Sequence, residues 1–162
     1  MKLYVGTYAK YNEGKLSGAW LDLTDYADLD DFYEACRELH KDEDDPELMF
    51  QDYDDGPEFL YDESALLRDD IYDFIDLDDD DKEMVAAYIE NVGLNGSLSE
   101  VIDEARDAHQ GQWDSFEEFA QQLYEDLYEI PSHLESYIDW RAVASDLQQD
   151  YFEENGHIFR NL

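Results

Sequence analysis

Carboxylates dominate the side chains that could do chemistry: 45 Asp and Glu stand against 10 Lys and Arg in 162 residues, a formal charge of −35. Where acidic pairs occur throughout, pairing by itself is no sign of general acid–base catalysis, which needs a carboxyl set apart by its surroundings. Asp76-x-Asp78-x-Asp80 copies the opening of a calcium-binding EF-hand loop. Its sixth position is Asp81 instead of Gly and its twelfth is Ala87 instead of Glu, so the match fails where the loop must turn and close on the ion. His40, His109, His133 and His157 are scattered without zinc spacing, and Cys36 is the single cysteine, so a thiolate metal site and an intrachain disulfide are both excluded. No phosphate-cradling glycine loop, nucleophile elbow or dinucleotide fingerprint occurs. The expectation is a protein that is not an enzyme and needs no cofactor or metal.

The acidity is densest over residues 69–82, DDIYDFIDLDDDDK. On a helix, Leu67, Ile71, Phe74 and Ile75 gather on one side and Asp69, Asp73 and Asp76 on the other. Neighbouring carboxylates in such a row lie roughly 4.5 to 6 Å apart along the axis. One strand of B-DNA carries a phosphate about every 3.4 Å. Asp78, Asp79, Asp80 and Asp81 prolong the row. A single charged helix face is ordinarily solvated surface. Here the pattern recurs without the usual lysines, through Asp103, Glu104, Asp107, Asp114, Glu117, Glu118, Glu125 and Asp126.

Charge of this size repels nucleic acid and anionic membrane and attracts basic surfaces, with fast and salt-sensitive association. The strongest basic clefts belong to proteins that grip nucleic acid. If every net charge replaced a phosphate, the set would match at most about 60 Å of duplex axis. Self-repulsion also favours an elongated body of small lobes over one sphere.

The elements that must position these charges follow from local pattern. With 43% hydrophobic and 15% aromatic residues, the chain can bury a core. Residues 3–8 and 15–23 read as strands joined by a turn at Asn12-Glu13-Gly14. Residues 28–40 read as a helix with Leu29, Phe32, Cys36 and Leu39 inward, and 48–53 as a third strand. A helix carries the Asp69 stripe, and another over 80–90 buries Met84, Val85 and Tyr88. Ser97 with Glu100, Ser115 with Glu118, and Ser132 with Glu135 are capping boxes that open three further helices. The helix after Ser115 places Phe116, Phe119, Ala120, Leu123 and Leu127 on one face. Residues 151–160 form a hairpin about Asn155-Gly156. The expected fold class is α+β, elongated, in several small lobes: an N-terminal ββαβ-like lobe over 1–60, a central acidic helical lobe over 61–108, and a mainly helical lobe over 109–162 ending in a β-hairpin. No apolar run spans a membrane and no signal-peptide pattern opens the chain, and a lone cysteine fits the reducing cytoplasm.

Several short motifs now stand together. They are Tyr4-Val5-Gly6-Thr7-Tyr8, Lys10-Tyr11-Asn12-x-Gly14, Gly18-x-Trp20-x-Asp22-Leu23 and Pro46-Glu47-Leu48-Met49-Phe50-Gln51-Asp52-Tyr53. Near the end come Pro131, Leu134, Tyr137-Ile138-Asp139, Asp146-Leu147 and Gly156-His157-x-Phe159. As a set they resemble the ArdA antirestriction proteins along the whole chain, although residues 58–111 share mainly acidity and helical pattern. Trp140, Val143 and Ser145 depart from the family pattern.

The resemblance implies a three-lobed dimer, encoded on plasmids and conjugative transposons, that mimics bent duplex DNA. Such a protein occupies the DNA groove of a type I restriction-modification enzyme, formed by methyltransferase and specificity subunits, and protects incoming DNA. It also implies that Tyr137, Ile138, Trp140, Val143 and Leu147 lie in or near the contact between subunits, with ordinary packing inside one subunit as the open alternative. A general acidic chaperone, or a competitor for basic DNA-binding proteins, is the rival function.

Overall fold

The computed structural model describes residues 1–161. Among them the chain forms helices and two three-stranded antiparallel sheets, a mixed α+β fold. It gathers into two compact units, one of residues 1–82 with 96–99 and the other of residues 83–95 with those from 100 onward.

In the first unit, strand β1 (Lys2–Thr7) lies between β2 (Ala19–Asp22) and β3 (Leu48–Asp54). The alternation of β1 decides its faces: Leu3 and Val5 are fully buried, while Tyr4 meets Trp20 edge-on across the strand pair. Helix α2 (Leu29–Leu39) starts where the Asp28 carboxylate accepts the Asp31 N–H at 2.9 Å. It buries Phe32 and Cys36, with the Phe32 ring 5.9 Å from that of Phe50 on β3. The expected ββαβ-like lobe is present, with a short helix added between its first two strands.

Two local expectations change. Residues 12–14 are not a tight turn between long strands. Thr7 instead caps a short helix, α1 (Tyr8–Asn12), by accepting the Lys10 N–H, and β2 shrinks to four residues. Leu16, expected within a strand, is 81% exposed. Leu39, expected inward, is partly exposed at 37%, because α2 ends there and the chain turns inward through buried His40. The ammonium of Lys10 can only donate, so the His40 Nδ1 at 3.0 Å accepts from it and Nε2–H donates to the Val5 carbonyl at 3.2 Å. Asp42 at 2.8 Å and Glu43 at 3.3 Å complete the network around Lys10.

In the second unit, β6 (His157–Arg160) pairs with β5 (Tyr151–Glu154) and with β4 (His109–Gln112). The hairpin turns through Asn155 at φ 52° and Gly156 at φ 81°. Two successive positive φ angles are what a two-residue hairpin of the type I′ kind requires. Tyr88 packs on Phe159 and Phe152, while Phe116, Phe119, Ala120, Ala144 and Ile158 form a cluster under helix α6 (Phe116–Leu127). Ser115 caps α6 through the Glu118 N–H at 3.2 Å, as its motif predicts. Leu127 does not join that core. It is 62% exposed at the last turn, where α6 runs past the residues it packs on.

The Ser132 box opens no helix. Leu134 N–H bonds back to Pro131 O, and only a short 3-10 turn follows at Glu135–Tyr137. That turn buries nothing, so a cap there has no amphipathic face to extend. The helix begins later, at α7 (Trp140–Leu147), where Asp139 accepts the Ala142 N–H. Among the described residues no helix is long and apolar enough to cross a membrane.

Candidate protein-binding surface

The Asp69 stripe is built differently from its sequence pattern. Leu67, Ile71, Phe74 and Ile75 are buried as the periodicity demands. Yet the helix beneath them, α3, spans only Ile71–Ile75, with Asp69 ahead of it and Asp76 at its end. A second start competes with it. Asp78 accepts the Asp81 N–H at 2.8 Å and opens helix α4 (Asp79–Val92), and a residue in a cap cannot also continue the preceding helix. Asp79, Asp80 and Asp81 then fill the first turn of α4, where the helix dipole favours negative charge. Asp69, Asp73, Asp76, Asp78, Asp79 and Asp80 are all exposed and Asp81 is half-buried, but they follow two short helix ends and not one straight row.

Asp70 is withdrawn from this surface. Both its oxygens take bonds from Arg68, at 2.8 and 2.9 Å, and one also accepts the Leu98 N–H at 2.8 Å. The guanidinium first, then the amide, hold its carboxyl below the usual carboxylate range.

A further acidic row lies on α5 (Leu98–Ala108). Glu100, Asp103, Glu104 and Asp107 stand at i, i+3, i+4 and i+7 on its exposed face, opposite buried Val101, Ile102, Ala105 and Ala108. Asp103, Glu104 and Asp107 belong to the expected set. Glu100, expected as half of a capping box with Ser97, also belongs to the row by its spacing from Asp103 and Asp107.

Asp114 is exposed just before α6, and Glu117, Glu118, Glu125 and Asp126 are exposed along it. Glutamines complete two rows on this helix: Gln121 Nε2 donates to Glu125 at 2.7 Å and Gln122 Nε2 to Asp126 at 2.9 Å. Such i, i+4 bonds add only about 0.2–0.5 kcal/mol each, but they orient the carboxylates they hold. A Gln-x-x-x-acid repeat in the sequence marks these glutamine partners, which lie outside the expected set. Further exposed acids on α2, namely Asp30, Asp31, Glu34 and Glu38, also lay outside the expected set.

Little positive charge interrupts this surface. Between Asp69 and Glu135 the sequence has only two basic residues, Lys82 and Arg106. Arg141 reaches Glu117 at 3.3 Å, but both side chains are exposed, so the pair adds little. Among the described residues, no three His, Cys, Asp or Glu side chains converge as metal ligands would. The histidines scattered in sequence are not all scattered in space: His157 is buried with Nδ1 3.0 Å from His109 Nε2.

The residues expected at a subunit contact divide by exposure. Tyr137 is 83% exposed. Val143 and Leu147 are half-buried against the Phe116–Ile158 cluster, and Trp140 stands edge-on to Tyr124. Ile138 is half-buried. Leu127, Tyr128 and Leu134 are exposed apolar neighbours in sequence.

Compared with known families, residues 3–159 match the model of the antirestriction protein ArdA. The chain belongs to the ArdA family. No curated protein matches it. ArdA proteins act against restriction, so the function of this chain is antirestriction and its dealings are with restriction-modification enzymes. Nearly all of the carboxylates described above are exposed on the surface of the chain.

Proposed function

We propose that this ArdA protein is a stoichiometric inhibitor whose carboxylates take the places of duplex DNA phosphates. They would meet Lys and Arg in the groove formed by the methyltransferase and specificity subunits of a type I restriction-modification enzyme. The carrying observation is the exposed row of Glu100, Asp103, Glu104 and Asp107 on α5, at spacings of the same order as phosphates on one DNA strand. The acids of α6 and those around Asp69–Asp81 supply more of the same charge. Phosphate contacts position a protein on DNA without reading sequence, so a mimic of phosphate layout inhibits enzymes with different recognition sites. In this reading two copies pair through the C-terminal segment containing Tyr137, Ile138, Trp140, Val143 and Leu147. Val143 and Leu147 would contribute through the side of α7 not committed to their own core.

A competition assay tests the reading. A type I methyltransferase is held on labelled duplex DNA while this protein is added across a salt series. Displacement near stoichiometry, weakening as salt rises, is expected. DNA that stays bound at large excess in low salt would overturn the mimicry. Capture of many unrelated basic proteins would instead favour a general acidic competitor.

A further inference from the structure

The chain contains two Asn-Gly dipeptides, Asn95-Gly96 and Asn155-Gly156, outside the acidic residues described above. Asn followed by Gly is the pair best suited to spontaneous deamidation, because Gly shields its own amide least and rotates most freely. The Gly nitrogen attacks the Asn side-chain carbonyl carbon, a new C–N bond closes a five-membered succinimide, and the Cγ–Nδ2 bond breaks. The side-chain nitrogen leaves as ammonia, taking up the amide proton. Water then opens the ring at either carbonyl to leave aspartate or isoaspartate.

The two sites differ in what ring closure must disrupt. Asn155 and Gly156 form the centre of the β5–β6 turn, both at positive φ, with Glu154 paired to His157 directly behind them. Asn155 Nδ2 donates to Glu90 at 2.9 Å, and Gly156 O accepts the Trp113 N–H at 2.9 Å. Swinging the Gly156 amide onto the Asn155 side chain means leaving the left-handed turn and opening the hairpin. Asn95 lies in neither helix nor strand, and both it and Gly96 are exposed. Its side chain makes a longer bond, 3.3 Å, to Val92 O. Arg68 holds Gly96 by its carbonyl at 2.8 Å, while the Gly96 amide, the attacking group, donates to no described residue.

We propose that Asn95 is a site of spontaneous deamidation in the folded protein, and that Asn155 is protected by its turn. The product adds one negative charge immediately before the acidic row of α5. As isoaspartate it also lengthens the backbone there.

The test follows both sites by peptide mass mapping while the folded protein ages in warm, mildly alkaline buffer, with a parallel sample unfolded in urea. Deamidation at Asn95 at least about tenfold faster than at Asn155 is expected in the folded sample, and similar rates at both in urea, since the difference is a conformational barrier. The N95Q variant should lose the acidic isoform that accumulates in wild type. Equal rates in the folded sample, faster reaction at Asn155, or an unreactive Asn95 in folded protein whose urea sample reacts at both sites would each overturn the proposal.

Discussion

Arg68 and Asp70 illustrate how one residue in an acidic run can have a structural task that its neighbours lack. The folded-state pKa of Asp70 lies below its ordinary value, chiefly through the Arg68 hydrogen bond. A depressed carboxylate contributes stability above its unfolded value, near about 4, and loses it as pH falls through the lower folded value. The D70N variant is therefore expected to unfold at lower urea concentration than wild type at pH 7, with a difference of about 1–2 kcal/mol that shrinks in acid. A difference that persisted at the lowest pH at which both variants fold would contradict this assignment. Cys36 is fully buried on α2. Burial pushes its thiol up to about 12, so it should resist thiol reagents in folded protein and react once denaturant is added.

At the scale of elements, caps decide where the acidic helices start and stop. Asp78 serves both the surface charge and the start of α4, whereas Asp103 projects from the middle of α5. The D78A variant should lose about 1 kcal/mol of stability through the missing cap. The D103N variant should lose none, since it relieves repulsion within its row, while its DNA competition weakens. Chemical denaturation of the two variants, read beside the competition assay, separates scaffold from surface. In the hairpin, G156A forces a β-carbon onto a residue at φ 81° and is expected to cost about 1 kcal/mol. Its added β-carbon would otherwise meet neighbours at ordinary contact distance, so the cost comes from the backbone.

For the whole molecule, a charge of −35 acts on stability and on binding with opposite signs. Salt screens self-repulsion and should raise the urea midpoint. The same salt should weaken displacement of DNA from the methyltransferase. If the carboxylates act as phosphates do, neutralising one contacting acid should flatten the logarithmic salt dependence of binding by about one unit or less. Neutralising several should degrade inhibition step by step. A single substitution that abolished inhibition without unfolding the protein would point to a localised site and away from a distributed one.

Local periodicity made much of the fold legible. The alternation in β1, the apolar faces of α2 and α4, the Ser115 box and the Asn155-Gly156 turn each depend on residues close in sequence, and each appears in the structure. The acidity of the surface was equally plain, because a charge excess this large cannot be buried. Strand β4 was not legible: His-Gln-Gly-Gln has no alternation, and only its partner β6 makes it a strand. The length of α3, the withdrawal of Asp70 and the meeting of His109 with His157 were equally hidden. Composition and a 3.6-residue repeat are enough to set the amount of negative charge and the side of each helix that carries it. Only the fold decided where the Asp69–Asp81 run breaks into two helices and which acid, Asp70, is withdrawn into an ion pair. Those outcomes depend on partners distant in sequence and on helix starts that compete for the same residues.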